Sequence, residues 1–209
     1  MYKHFFKRMF DIVLSFMGIV LASWLFLLII IALEIDDPGP VFFAQKRVGK
    51  GRSFFKLYKF RSMKTSTPHD VPTHLLKDPQ QYITRVGKFL RRTSLDEIPQ
   101  LVNILKGDMS VVGPRPALWN QDDLIAEREK YGANDIKPGL TGWAQINGRD
   151  ELEIPVKAKL DGDYVKELNK GGFCALGFDI KCLFGTVFSV AKAEGVVEGG
   201  TGEINRRKN

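Results

Sequence analysis

The sequence predicts an α+β protein that is mostly helical. Three observations predict this class: an uncharged apolar run at residues 12–33, an aromatic and basic segment at 41–63 around a Gly-rich turn, and later segments with apolar residues at helical spacing. We expect a re-entrant N-terminal membrane helix, interfacial amphipathic helices and a small β-hairpin or sheet. No G-x-G-x-x-G pattern follows a predicted strand, so a Rossmann-type domain is not expected.

The chain of 209 residues is long enough for one compact domain and a membrane element. We divide it into an N-terminal membrane helix (1–36), one domain at the cytoplasmic face of the membrane (37–195) and a flexible tail that is Gly-rich and basic (196–209). The formal net charge of +7 suits an anionic partner, which could be nucleic acid, a phospholipid surface or a phosphorylated substrate. The two cysteines, Cys174 and Cys182, form no CxxC motif, so neither a zinc site nor a disulfide framework is indicated.

The apolar run at 12–33 contains 22 uncharged residues between Asp11 and Glu34. As a helix it would extend about 33 Å, which is enough to cross the hydrocarbon core of a bilayer. The run is too long for a signal peptide and lacks a small-x-small cleavage site, so we expect it to stay attached.

Basic residues flank the run on both sides, which favours a re-entrant helix whose two ends lie at the cytoplasmic face. A bend could form at Gly18 or Ser23, because a serine hydroxyl can bond to the carbonyl of the preceding turn. A spanning helix with its N-terminus outside stays open as an alternative. The flanking cations are Lys3, Lys7 and Arg8 before the run and Lys46, Arg47, Lys50, Arg52, Lys56, Lys59 and Arg61 after it.

Residues 36–40 read as a turn, and the following segment, 41–63, predicts a β-hairpin. Residues 65–78 contain two prolines and several polar residues, which favours an exposed loop. The segment 95–108 places apolar residues at helical spacing and predicts an amphipathic helix that stops at Gly107. Ser94 and Glu97 have the spacing of a capping box at its start.

Helical spacing returns in DLIAEREKYG, in KAKLDGDYVKEL and in FDIKCLFGTVFSVAKAEG. The last of these helices would pack on the core or lie at a lipid interface, and core packing is the preferred interpretation. Its apolar residues fall broadly on one side: Phe178, Cys182, Val187, Phe188 and Ala191.

Adjacent carboxylates at Asp96 and Glu97 follow the basic pair Arg91 and Arg92. An ionised aspartate can attack phosphorus without a general base, provided that cations offset the repulsion from the phosphate oxygens. Neighbouring residues on a helix diverge by about 100°, so two such carboxylates would serve separate roles more readily than share a proton. The pair therefore indicates phosphoryl chemistry, with Asp96 as nucleophile and Glu97 as a ligand of Mg²⁺.

Four motifs in order carry a family resemblance: YKFRSM (58–63), LRRTSLDEIPQLVNILKGDMS (90–110), VGPRP (112–116) and PGLTGWAQINGR (138–149). Together they make the chain similar, over nearly its whole length, to the bacterial sugar transferases called monotopic phosphoglycosyl transferases. Members of that family move a phosphosugar from a UDP-sugar to a polyprenyl phosphate such as undecaprenyl phosphate, and release UMP. They do so at the bacterial inner membrane, as the first membrane step of glycan assembly.

The resemblance implies roles for particular residues. Asp96 would form a covalent aspartyl-phosphosugar intermediate and Glu97 would hold Mg²⁺. Asp161 and Tyr164 match a D-x-x-Y pattern that could support the site or simply pack a helix. The predicted phosphate- and substrate-binding residues are Lys59, Arg61, Arg91, Arg115, Gln145, Asn147 and Arg149.

One position departs from the family pattern, because members commonly carry Ser-Pro at the break of the re-entrant helix and this chain reads Ser23-Trp24. The departure concerns the topology of the helix and leaves the catalytic set untouched. The implied partners are a UDP-sugar donor, a polyprenyl phosphate acceptor and membrane lipids, without nucleic acid. The motifs specify neither the sugar nor the oligomeric state.

Two other functions are compatible with parts of the sequence. A non-catalytic membrane-anchored protein could bind anionic lipid through the basic face and use Asp96 and Glu97 only at a helix start. A nucleic-acid module could use the aromatic and basic residues at 54–61, although no recognised motif supports it.

Overall fold

A computed structural model of the chain describes residues 2–67, 79–148 and 151–192. Helices predominate in these residues, as predicted, and two small sheets accompany them. The predicted loop at 65–78 lies largely outside the described residues, and the predicted tail at 196–209 lies wholly outside them. The elements are α1 (Lys7–Asp36), β1 (Phe42–Val48), β2 (Phe54–Phe60), α2 (Arg85–Thr93), α3 (Gln100–Lys106), β3 (Ser110–Val112), α4 (Asp122–Glu129), β4 (Gly139–Thr141), α5 (Trp143–Ile146), α6 (Ile154–Lys170) and α7 (Gly172–Lys192).

The N-terminal helix α1 is longer than the apolar run that predicts it. All 30 of its residues are α-helical, including those around Gly18 and Ser23, where the sequence suggests a bend. The Ser23 hydroxyl does donate to the Val20 carbonyl, at 2.8 Å. At 1.5 Å per residue the helix extends about 45 Å.

The N-terminal half of α1 is fixed to the rest of the chain by polar contacts. The Arg8 guanidinium donates to the carbonyls of Ile104 and Leu105, at 2.6 and 2.9 Å. The buried Asp11 carboxylate accepts from the Ser110 hydroxyl at 2.9 Å and from the Val111 amide at 2.8 Å. Asp11 reads in the sequence as a charge at the edge of the apolar run, whereas in the structure it joins α1 to β3.

The C-terminal end of α1 contacts the same folded body. Ile29 and Leu33 are buried in a cluster with residues of β2 and α2. Asp36 accepts from the Val86 amide at 2.8 Å, at the first turn of α2. Between these two anchored ends, α1 exposes a band of large apolar side chains: Phe16, Met17, Val20, Leu21, Trp24, Leu27 and Leu28.

The predicted hairpin is confirmed. Strands β1 and β2 pair antiparallel, from Phe42 opposite Phe60 to Val48 opposite Phe54. Lys50–Arg52 form the turn between them, and Gly51 adopts a φ of 61° that glycine accommodates without strain.

A second, parallel pair of strands brings two of the sequence motifs together. Ser110 lies opposite Gly139, and Val112 opposite Thr141. The two backbones approach so closely that a Cβ on Gly139 would lie 2.1 Å from the Gly113 amide nitrogen. The VGPRP loop and the loop that begins at 138 can lie side by side because Gly113 and Gly139 have no side chains at this contact.

Helix α6 runs through the core, and its D-x-x-Y residues are buried there. Asp161 forms an ion pair with Arg128 of α4, at 2.7 Å. The Tyr164 hydroxyl donates to the Asp179 carboxylate of α7, at 2.8 Å. Both contacts join helices to one another, so the packing interpretation of this pattern fits the structure.

Helix α7 divides the residues that the sequence places on one face. Cys182 is buried and Phe178 packs against the core, whereas Val187 and Phe188 are 66% and 67% exposed. By length and composition, both α1 and Gly172–Ser189 of α7 could span a membrane. Each helix presents one side to the core and leaves other apolar side chains uncovered.

Candidate active site

The two carboxylates of the site lie between two helices and not at the start of one. Ser94 ends α2 in the left-handed conformation, with a φ of 56°, and its side chain makes no capping hydrogen bond. Leu95–Glu97 form a single 3₁₀ turn, and α3 begins only after Pro99. The predicted helix start at 95 and the predicted capping box are wrong, because the left-handed Ser94 and Pro99 break the helical pattern. The predicted stop at Gly107, with a φ of 96°, is confirmed.

Glu97 forms ion pairs with two cations, Lys59 of β2 and Arg115 of the VGPRP loop. Its Oε1 atom lies 2.8 Å from the Lys59 ammonium of β2. The Arg115 guanidinium donates to both carboxylate oxygens, at 2.8 and 3.3 Å. The carboxylate is buried, so these contacts replace water that it would otherwise bind.

Asp96 is also buried, and Lys59 lies 3.6 Å from its Oδ2 atom. Burial raises the pKa of the Asp96 carboxyl above its ordinary value, and the charge on Glu97 adds to the rise. The cations Lys59, Arg91 and Arg115 oppose it. Asp96 is thus a poorly hydrated carboxylate, and its charge is stabilised by cations of the protein more than by water.

Arg91 reaches the site from the last turn of α2. Its Nε atom donates to the Ser62 hydroxyl at 2.8 Å, which fixes the guanidinium stem against the chain that follows β2. The helix lies flush on that segment, because a Cβ on Gly87 would be 2.0 Å from the Ser62 carbonyl oxygen. Sequence reasoning missed Ser62, although it lies inside the YKFRSM motif.

Asn103 is a second positioning residue that sequence reasoning missed. It is fully buried on α3, where its Oδ1 atom accepts from the Tyr58 amide at 3.0 Å and its Nδ2 atom donates to the Lys56 carbonyl at 2.7 Å. These bonds hold β2, which carries Lys59, against the helix that follows Glu97. The signal in the sequence is one amide within an otherwise apolar helical run.

Arg61 occupies a different place from the other predicted phosphate-binding residues. Its guanidinium donates to the Asp37 carboxylate at 2.8 Å and also to the Asp37 carbonyl. The side chain is buried in this pair, just beyond the end of α1. The structure therefore places Arg61 where it joins α1 to β2.

The three predicted residues of the 138–149 loop have different environments. Gln145 is buried, and neither atom of its amide has a hydrogen-bond partner within the described part of the chain. Asn147 is exposed, and its amide donates to the Trp143 carbonyl at 2.7 Å. Arg149 lies outside the described residues.

A cavity of about 350 Å³, called the cleft below, adjoins the acid pair. Glu97 and Arg115 contribute its charged lining, and Gln145 lines it as well. Carbon atoms form most of the rest of its wall. The arrangement places anionic and cationic groups beside an apolar cavity large enough for part of a substrate.

The described residues contain no group of three or more His, Cys, Asp or Glu side chains that could hold a metal ion. Mg²⁺ requires fewer, because it commonly binds one or two carboxylates together with substrate phosphates and water. Asp96 and Glu97 are the carboxylates at this site that could act in that way.

Comparison with known proteins agrees with these motifs. The family model "Bacterial sugar transferase" matches residues 2–193. The UDP-glucose:undecaprenyl-phosphate glucose-1-phosphate transferase of Escherichia coli (strain K12) is 41% identical, over 87% of this chain and 39% of its own length. The uncharacterized sugar transferase EpsL of Bacillus subtilis (strain 168) is 38% identical, over 91% of this chain and 89% of its own length.

A third relative differs in the sugar that its name gives. The undecaprenyl-phosphate galactose phosphotransferase of Salmonella typhimurium is 37% identical, over 92% of this chain and 42% of its own length. The chain thus spans about two fifths of the length of the Escherichia and Salmonella relatives and most of the length of the Bacillus relative. Because the family model covers nearly the whole chain, this protein belongs to the bacterial sugar transferase family.

Proposed function

We propose that this protein is a phosphoglycosyl transferase that moves a phosphosugar from a UDP-sugar to a polyprenyl phosphate, with undecaprenyl phosphate as the acceptor. The observation that carries the proposal is the buried carboxylate pair, Asp96 and Glu97, held by Lys59 and Arg115 beside an apolar cleft. The names of the Escherichia and Salmonella relatives support the class of acceptor. The product would enter polysaccharide assembly.

In the first displacement, an Asp96 oxygen attacks the β-phosphorus of the UDP-sugar. The new aspartyl oxygen–phosphorus bond forms while the bond from the β-phosphorus to the bridging oxygen breaks, and UMP leaves with that oxygen. The raised pKa of the carboxyl indicates that burial destabilises the anion. Forming an acyl phosphate relieves that cost, which makes the buried aspartate suited to act as a nucleophile.

In the second displacement, an oxygen of the lipid phosphate attacks the same phosphorus. The acyl-phosphate bond breaks, the Asp96 carboxylate is regenerated and a polyprenyl-diphosphate sugar remains in the membrane. UMP leaves the phosphorus before the lipid phosphate approaches it, so one set of cations can serve both steps. Lys59 and Arg115 would shift part of their contact from Glu97 to the phosphate oxygens.

Mg²⁺ would bind as a complex with the diphosphate, with Glu97 as its protein ligand and Asp96 beside it. The donor set fits this ion, since the site offers carboxylates and the substrate offers phosphate oxygens. When bound, the ion would offset negative charge on the diphosphate and on the departing UMP.

We further propose that α1 is re-entrant and that the catalytic body lies on the cytoplasmic face of the bacterial inner membrane. Both ends of α1 contact one body, through Arg8 and Asp11 at one end and Asp36 at the other. Lys3, which precedes the helix, also donates to Asn169 of α6 at 2.7 Å. A helix that crossed the bilayer would carry one of these ends to the opposite side.

The alternative function, a non-catalytic protein that binds anionic lipid, explains the basic charge but not the burial of the acid pair. Two adjacent buried carboxylates are costly unless cations lie close to them. The start of a helix requires neither buried carboxylates nor cations beside them. Ser94 makes no capping bond from its side chain, so the capping role of this segment has no support.

The experiment is a UMP-release assay on the purified protein in detergent or nanodiscs, with a panel of UDP-sugars and with undecaprenyl phosphate. We expect sustained UMP release with at least one donor, dependent on the acceptor and lost when Mg²⁺ is chelated. Absence of UMP release with every donor, in a protein that binds anionic vesicles, would favour the lipid-binding alternative.

A further inference from the structure

The cleft beside the acid pair has a wall suited to hydrocarbon. Its apolar residues come from the turn before α3, from α3, from the β3–β4 pair, from α5 and from α7. Among the described residues that line it, none is aromatic, so the cleft offers no ring on which a nucleobase could stack. The apolar lining includes Ile98, Leu101, Leu140, Leu183 and Val187.

The cleft is continuous with the surfaces that carry exposed apolar side chains. Val187 lines it and is 66% exposed, so the cleft opens along α7. Phe184 and Phe188, on either side of Val187 in the sequence, are exposed as well. Leu101 touches α1, because a Cβ on Gly18 would lie 3.0 Å from its Cδ1 atom.

The charged part of the lining belongs to the active site. Glu97 and Arg115 line the cleft and contact each other at 2.8 Å. A ligand with an anionic phosphate and an apolar chain could therefore place its head at these residues and its chain along the carbon wall. Neither a sugar nor a uridine would gain from that wall, since both carry polar groups that need hydrogen-bond partners.

Gln145 adds a polar side chain to the wall of the cleft. Its side chain is buried in the cleft wall, and both amide atoms lack a hydrogen-bond partner among the described residues. A buried amide without a partner is costly. A phosphate oxygen in the cleft would accept from the amide nitrogen.

We propose that this cleft binds the first isoprene units of the acceptor lipid, with Val187 and Leu183 contacting the chain and Gln145 donating to its phosphate. The proposal rests on the proposed function and adds a subsite to it. The acceptor enters from the lipid-facing side of α7 and delivers its phosphate to the acid pair without leaving the apolar surface.

The test compares Val187→Trp with Val156→Trp, the same change at an exposed valine of α6 that lies outside the cleft lining. Tryptophan keeps the surface apolar while it fills the mouth of the cleft. The Michaelis constants for UDP-sugar and for undecaprenyl phosphate are measured for each. In parallel, kcat/KM is measured with soluble phosphate esters of one, two and three isoprene units.

We expect Val187→Trp to raise the KM for the acceptor about tenfold, equivalent to about 1.4 kcal/mol, with the KM for the UDP-sugar unchanged. Val156→Trp should change neither constant. In the unaltered protein kcat/KM should rise from one to three isoprene units, and Val187→Trp should remove most of that rise.

An unchanged acceptor KM in Val187→Trp, or a raised KM for the UDP-sugar instead, would overturn the assignment. Either result would come from an enzyme that still turns over. Failure of the proposed function is a separate outcome, because the unaltered protein would then release no UMP with any donor.

Discussion

Lys59 is the cation that connects the two carboxylates. It lies 2.8 Å from Glu97 and 3.6 Å from Asp96, and Arg115 forms a second ion pair with Glu97. The ammonium is partly buried, so its charge is less screened than that of a surface lysine. Lys59 is therefore placed to stabilise charge on whichever group replaces the Asp96 anion during the reaction.

Replacing this lysine should reduce the rate far more than the stability. Lys59→Met keeps most of the side-chain volume but removes the charge, and we expect kcat for UMP release to fall about 100-fold or more. Arg115 still pairs with Glu97, so the thermal midpoint should change by only a few degrees. The measurements are steady-state UMP release at saturating UDP-sugar and thermal unfolding.

The matched control is Lys56→Met, at an exposed lysine of the same strand. It should retain nearly the full rate. A near-native kcat in Lys59→Met would show that this lysine takes no part in the chemistry.

At the scale of the elements, the contact between α2 and the segment after β2 sets the position of Arg91. Gly87 faces the Ser62 carbonyl so closely that no side chain fits between the helix and that segment. Thr84 caps the same helix by accepting from the Gly87 amide at 2.9 Å. The approach of the helix and the position of its terminal arginine are thus determined together.

We predict opposite effects for two helical glycine-to-alanine substitutions. At a helical position where a Cβ meets no other atoms, this change stabilises a protein by at most about 1 kcal/mol. Gly177→Ala in α7 should follow that rule, because a Cβ there meets nothing within 4 Å. Gly87→Ala should cost about 3 kcal/mol and lower activity, because its Cβ would fall 2.0 Å from the Ser62 carbonyl oxygen.

Thermal unfolding of both variants tests this pair. If Gly87→Ala unfolded at or above the midpoint of the unaltered protein, the close packing of α2 on Ser62 would be wrong.

The elements that local pattern encodes were predictable, and those that depend on tertiary contacts were not. The hairpin follows from a Gly-rich turn between aromatic segments, and the long helices follow from their spacing. The segment at 94–99 looks helical by its apolar residues, but Ser94 takes a left-handed conformation that no local pattern requires. The predicted lysine and arginines at 59, 91 and 115 do converge on the acid pair.

Other parts of the site depend on partners far along the chain. Asp11 bonds to residues about 100 positions away, and Asn103 joins α3 to a strand more than 40 positions earlier. Arg61 looks like a phosphate ligand in its basic motif, but in the structure it pairs with Asp37. Sequence spacing alone carries no information about such pairings.

At the scale of the whole molecule, both ends of α1 are anchored to the rest of the chain. The N-terminal segment contacts α6 and α7 through Lys3 and through Lys7, which pairs with Asp179 at 2.8 Å. The C-terminal end contacts α2 through Asp36. The exposed apolar band lies between them, so the middle of the helix is the part available to lipid.

We predict that both ends of α1 lie on the cytoplasmic side. Lys3→Cys and Lys50→Cys, each in a Cys174→Ser background that removes the exposed native thiol, should react with a membrane-impermeant maleimide in inverted vesicles and not in intact spheroplasts. Labelling after detergent treatment controls for thiol accessibility. Labelling of the two positions from opposite sides would show a spanning helix and contradict the re-entrant arrangement.

The central claim is that Asp96 forms a covalent intermediate, and intact-protein mass spectrometry tests it most directly. The purified protein is incubated with its UDP-sugar and Mg²⁺ without acceptor, alongside Asp96→Asn and a control, Asp163→Asn, at an aspartate on α6 that pairs with Lys166. We predict a mass gain of one phosphosugar in the unaltered protein and in Asp163→Asn, none in Asp96→Asn, and loss of the adduct when undecaprenyl phosphate is added. An unmodified mass in an enzyme that turns over, or the same adduct on Asp96→Asn, would contradict the account.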